Sequence, residues 1–66
     1  MDNTHEPITT LFAAIAVVEG DDLATEERQL EAWQWLVDHG YAYHLQGWYG
    51  RTASHLIEAG LITAPA

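Results

Sequence analysis

Gly20, Gly40 and Gly60 each close a stretch whose apolar residues recur at helical spacing, and this limits the chain to short helices joined by tight turns. Glycine just past a helix end takes up the left-handed conformation that stops the helix. At Gly40 the following Tyr41 is placed to touch Leu36, and at Gly60 the following Leu61 is placed to touch Leu56, the apolar contact of a Schellman ending. Gly20 is followed by Asp21 and lacks that contact. The segments between the glycines are not self-similar, so their even spacing reflects helix length rather than a repeat.

Three helices follow. The first is expected from about Pro7, which suits a first helical turn, to Glu19. Ile8, Leu11, Phe12, Ile15 and Val18 give it one apolar face, which Ala14 and Val17 widen. The second is expected from about Glu26 to His39. Thr25 caps it, Glu26 and Glu27 lie in the first turn where the helix dipole favours anions, and Leu30, Trp33, Leu36 and Val37 face inward. Trp35 falls off that face. The third runs from near Trp48 to Ala59, with Tyr49, Ala53, Leu56 and Ile57 inward. Residues 41–47 form a connector. The expected fold is all-α, a small three-helix domain with short connections, spanning 1–66 as one domain with 1–6 and 63–66 as flexible tails. The expected core is Phe12, Ile15, Leu30, Trp33, Leu36, Leu45, Tyr49, Leu56 and Ile57.

A 66-residue chain has to bury its apolar surface efficiently, because a domain this short hides only about 60% of what its unfolded chain exposes. There is no cysteine, which removes disulfides and thiolate metal sites. What remains is a dense core or self-association, and the three Trp, three Tyr and one Phe offer material for both. Ten carboxylates against Arg28 and Arg51, with no lysine, give a formal net charge of −8. Phosphate-neutralising contact with nucleic acid is therefore opposed, as is binding to anionic membrane surfaces, while basic protein surfaces are compatible. The first residues carry no positive segment, and the apolar run from Ile8 to Val18 is too short to span a bilayer. A cytosolic protein is expected.

The string Leu45-Gln46-Gly47-Trp48-Tyr49-Gly50-Arg51 is not demanded by helix patterning. As a binding site, Gln46 and Arg51 would be polar anchors rimmed by Tyr41, Tyr43, Trp48 and Tyr49, with Trp35 as a further exposed candidate; arginine with tyrosine and tryptophan is the composition of interface hot spots. As a purely structural device, Gly47 and Gly50 would let backbones pass closely, and Arg51 would hydrogen-bond a carboxylate or loop carbonyls. A cation at the start of a helix opposes the dipole, so some partner is expected to hold Arg51; Asp38, an acid between Glu19 and Glu31, or carbonyls of the 41–46 connector are the candidates.

This string, followed by Leu56-Ile57-Glu58-Ala59-Gly60, resembles a family of small phage proteins of unknown function that share Leu-Gln-Gly, any residue, Tyr-Gly-Arg and then Leu-Ile-x-x-Gly. The acidic turn at Asp21-Asp22 and the helix ending at Gly40 match that pattern as well, so the likeness covers residues 8–62. Trp48 stands where the family has a small residue. The resemblance implies a phage origin and a host-cell cytoplasmic setting, and no activity.

Glu19, Asp21, Asp22, Glu26, Glu27 and Glu31 form an acidic run. Imitation of DNA phosphates against a host factor is one reading of it. A solvated turn and helix face is the other, and the scarcity of acids in the second half of the chain favours it. His5, His39, His44 and His55 show no metal-ligand spacing, so no metal and no cofactor are expected. Ser54 and His55 are neighbours and project about 100° apart on a helix, which does not make a nucleophile and its base. The third helix and its Leu-Ile-Glu-Ala-Gly-Leu-Ile ending resemble the end of a winged-helix recognition helix, but a charge of −8 works against DNA. The reading is a non-enzyme that acts by protein–protein interaction, binding and modulating a host protein. Self-association as a homodimer, with Trp35 or Trp48 at the contact, and DNA mimicry are the alternatives.

Overall fold

The computed structural model describes residues 7–20 and 24–65. Among the described residues the fold is three helices and no strand. Helix α1, Leu11–Ile15, runs on as a π segment, Ala16–Gly20; α2 spans Glu26–Asp38 and α3 spans Gly47–Glu58.

The first helix begins later than its proline suggests. Pro7 and Ile8 lie outside the helix, and Thr10 is the N-cap, its hydroxyl accepting a hydrogen bond from the Ala13 amide at 3.1 Å. A hydroxyl that serves an orphan amide outweighs the φ preference of proline. Thr25 does the same for α2, accepting from the Arg28 amide at 3.0 Å. The α3 N-cap, Gln46, makes no such side-chain bond.

Two of the three glycine endings form as expected. Gly40 and Gly60 have φ of 79° and 78°. Around Gly40, the Gly40 amide donates to Val37 at 3.1 Å and the Tyr41 amide to Leu36 at 2.9 Å; around Gly60, the Gly60 amide donates to Ile57 at 3.0 Å and the Leu61 amide to Leu56 at 3.0 Å. This is the paired bonding of a Schellman motif in both places. The next residue adds a bond to the same carbonyl each time, Ala42 to Leu36 and Ile62 to Leu56. Ala42 and Ile62 are buried, whereas Tyr41 and Leu61 stay exposed. The residue buried at each ending is therefore the one after the position expected to make the apolar contact. Gly20 is not left-handed, and the turn at Asp21-Asp22 lies outside the described residues.

The core is assembled largely from small residues. Ala14, Ala32, Ala42 and Ala53 are buried together with Leu36, Val37, Val17, Trp33, Tyr49, Ile8 and Ile62. Close backbone approaches join α1 and the π segment to α2. Such closeness requires small side chains in the seam, and this reverses one expectation: Phe12 is 82% exposed. The inward side of α1 is the one carrying Ala14, not the one carrying Phe12, and Ile15 is only half-buried. Leu30, Leu45, Leu56 and Ile57 are partly buried against the core, while Trp33, Leu36 and Tyr49 are buried as expected.

Long side chains tie α3 to the rest. The Trp33 ring lies 5.6 Å from Tyr49 and 6.2 Å from Trp48, the latter edge-on. The Tyr49 hydroxyl donates to Glu19 at the end of the π segment. After Gly60 the chain returns to α2. The Gln34 side-chain amide accepts from the Thr63 amide at 2.8 Å and donates to the Thr63 carbonyl at 2.9 Å, as a paired strand would. The tail expected to be loose from residue 63 is thus anchored at Thr63, beside buried Ile62.

Candidate interaction surfaces

Six of the seven residues singled out for binding fall on two surfaces; the seventh, Tyr49, expected at the rim, is buried because its side of α3 faces the core. On the first, at the C-terminal end of α2, the half-buried Trp35 ring stacks on His39 at 4.0 Å and on Tyr41 at 5.8 Å, with the Tyr41 ring only 8° from parallel. His39 is the C-cap residue, and its Nδ1 lies 2.9 Å from the Trp35 carbonyl, so the ring is pinned at the helix end. Asp38 is exposed next to it and accepts from Gln34 Nε2 at 2.9 Å.

The second surface is the outward side of α3. At about 100° per residue, Gly47, Arg51, His55, Trp48 and Glu58 share one side of the helix, opposite Tyr49 and Ala53. The exposure of these residues follows that division. Tyr43 lies over Gly50 on one flank, and Trp48, 37% exposed, lies on the other. Gln46 is exposed at the N-cap.

Arg51 is the principal correction here. It is exposed, and among the described residues no carboxylate or carbonyl bonds it; its guanidinium folds back over Gly47. Neither Asp38, nor Glu19, Glu26, Glu27 or Glu31, nor the connector carbonyls hold it; Asp21 and Asp22 lie outside the described residues. The chain's other arginine does find a partner, since Arg28 pairs with Glu31 at 3.3 Å. The glycines are not there for close backbone passage either. A methyl group at Gly50 would meet the Tyr43 ring at 3.4 Å, an ordinary contact, and one at Gly47 would meet only the mobile end of Arg51 at 3.3 Å.

The acidic run is divided as well. Glu19 is engaged by Tyr49, Glu31 by Arg28, and Glu26 and Glu27 are exposed in the first turn of α2. Asp21 and Asp22 lie outside the described residues. Burial first, then the hydrogen bond to Glu19 and its negative charge, hold the Tyr49 phenol well above its ordinary range.

The family model described as Domain of unknown function (DUF7417) matches residues 8–66. The chain belongs to this family. No curated protein and no solved structure matches the chain. The matched region takes in both surfaces and all three helices of this family member. Among its described residues, no three or more histidine or acidic side chains gather as a metal site would require, and no helix is long and apolar enough to cross a membrane.

Sequence reasoning missed one member of the α3 surface, His55, and one exposed ring elsewhere, Phe12 on α1. His55 could have been found from the helical phase of α3, which puts it beside Arg51. Phe12 was hidden because the apolar count along α1 pointed it inward.

Proposed function

We propose that the protein works by protein–protein interaction, as a small acidic accessory protein of phage type that binds and modulates a host protein in the host cytoplasm. The observation that carries this reading is Arg51, between Tyr43 and Trp48 on α3, which bonds no carboxylate or carbonyl among the described residues. The local sequence gives up stability there with no structural return. Arg51 opposes the helix dipole without an ion pair. Gly50 occupies a position inside α3 where alanine fits, at a cost of about 0.5–1 kcal/mol. Residues that break local rules without compensation are expected where a partner uses them. The Leu45–Arg51 string, similar to that of small phage proteins, supplies the phage and host setting.

A homodimer is the second reading, favoured by Phe12, whose ring is almost wholly exposed on α1. Affinity capture from host lysate with the parent and with Arg51→Ala, joined to light scattering of the protein alone, separates the two. Arg51-dependent capture by a monomer supports host binding. A dimer that captures nothing and that Phe12→Ser dissociates supports self-association. Capture that disappears at high salt but ignores Arg51 points to DNA mimicry by the acids.

A further inference from the structure

The outward stripe of α2 has a character unlike that of α3. Taking about 100° per residue, Glu27, Glu31, Asp38 and Trp35 fall within an arc of about 80°. The only cation on this helix, Arg28, is already paired with Glu31. At the C-terminal end the stripe runs into the parallel rings of Trp35 and Tyr41, and Tyr41 remains 39% exposed although Trp35 covers part of it. An aromatic face beside Glu27 and Asp38, which no cation among the described residues neutralises, on a chain of net charge −8, is complementary to a cation that is also flat. Guanidinium meets both conditions, because it stacks on aromatic rings and forks onto carboxylates, whereas an ammonium pairs with a carboxylate only as a point charge.

We propose that this stripe docks a basic protein segment, with an arginine guanidinium layered on Tyr41 and hydrogen-bonded to Asp38, and with a further cation of the segment against Glu27. Asp38 spends one acceptor position on Gln34 and retains capacity for the arginine. Long-range attraction between a basic partner and the acidic chain brings the two together, and the stacked rings fix where the arginine lands. This inference rests on the reading of the protein as a binding protein, and it names the chemistry of the partner.

The test is a calorimetric and NMR titration of the full chain with a short alternating Arg-Ala peptide and with its Lys-Ala counterpart. The parent is expected to prefer the arginine peptide, with amide shifts centred on Asp38 to Ala42. Tyr41→Leu, which copies the residue after Gly60, removes that preference and weakens arginine-peptide binding on the order of two- to fivefold. Asp38→Asn keeps an acceptor for Gln34 and weakens both peptides more than Glu58→Gln, which deletes the same charge from α3. Melting curves confirm that the variants are folded. Equal losses from Asp38→Asn and Glu58→Gln, an arginine preference that survives Tyr41→Leu, or no binding at all would overturn the proposal. The titration does not involve Arg51 or a host protein. Failure here with Arg51-dependent capture intact removes only the α2 stripe. Peptide binding without any captured host protein leaves the stripe standing and removes the host-protein reading.

Discussion

Trp33 and Trp35 are separated by a single residue on α2, yet they belong to different parts of the molecule. Trp33 turns inward and holds Tyr49 and Trp48 of α3 against the core. Trp35 turns outward and stacks with His39 and Tyr41 at the rim. The inner group closes the fold: Tyr49 is buried, and its hydroxyl reaches Glu19 across the molecule. In the outer group Trp35 is half-buried against the core, while its ring contacts are with its own helix and the turn that follows it. Helical phase alone decides which aromatic becomes mortar and which becomes surface. A chain this small therefore keeps part of its aromatic content outside the core. Substitutions in the inner group should cost stability, and those in the outer groups should cost binding.

The largest expected effect tests the inner side. Trp33→Ala should destabilise by about 3–5 kcal/mol, as should Leu36→Ala by about 2–5 kcal/mol, because both leave a cavity in a core whose other buried residues include four alanines too small to fill it. For a domain of marginal stability either change should abolish folding, visible as lost helical circular dichroism. Trp35→Ala should cost less, about 1–2 kcal/mol for its ring contacts. Equal losses at the two tryptophans in urea unfolding would erase the distinction.

Tyr49→Phe comes next. It removes a hydrogen bond donated to a carboxylate and should cost about 1–3 kcal/mol. Its pH dependence is specific. Because the folded state holds the phenol above its ordinary value of 10.0, the native chain retains a proton that the unfolded chain releases. The resulting stability is fully present below pH 10.0 and is lost as pH rises above it. Alkaline unfolding should accordingly be steeper in the parent than in Tyr49→Phe; identical alkaline profiles would show that Tyr49 is not held in this way.

The glycines sharpen the comparison further. Gly40→Ala or Gly60→Ala should cost about 1–2 kcal/mol, since φ of 79° and 78° suits no other residue well. Gly50→Ala should instead stabilise by about 0.5–1 kcal/mol, as a helical glycine with room for a methyl group. If Gly50→Ala destabilises, α3 packs against the connector more tightly than the Tyr43 contact indicates.

The legibility of these features in the sequence depends on range. The Thr25 cap, the Gly40 and Gly60 endings and the inward positions of Trp33, Leu36 and Tyr49 follow from interactions within a few residues, so periodicity reveals them. Phe12 misleads because the apolar spacing of α1 is satisfied on two sides, and the choice between them is made by the seam with α2, which admits Ala14 and Val17 but not a ring. Glu19 and Tyr49 lie thirty residues apart, and Gln34 and Thr63 twenty-nine, and no local rule links either pair. The candidate site was legible as residue types, arginine among aromatics, but its division into two surfaces required the helical phases and the connector to be seen together.

The smallest expected effect on stability belongs to Arg51, and it tests the account most directly. Thermal melting and host-lysate capture should be measured together for the parent, Arg51→Lys and Arg51→Ala. Surface residues without partners change stability by less than about 0.5 kcal/mol, so all three should melt alike, while Arg51→Ala loses its captured protein and Arg51→Lys loses most of it with the planar fork. An Arg51→Ala variant that melts well below the parent yet captures the same protein would contradict the account, and would return Arg51 to the fold.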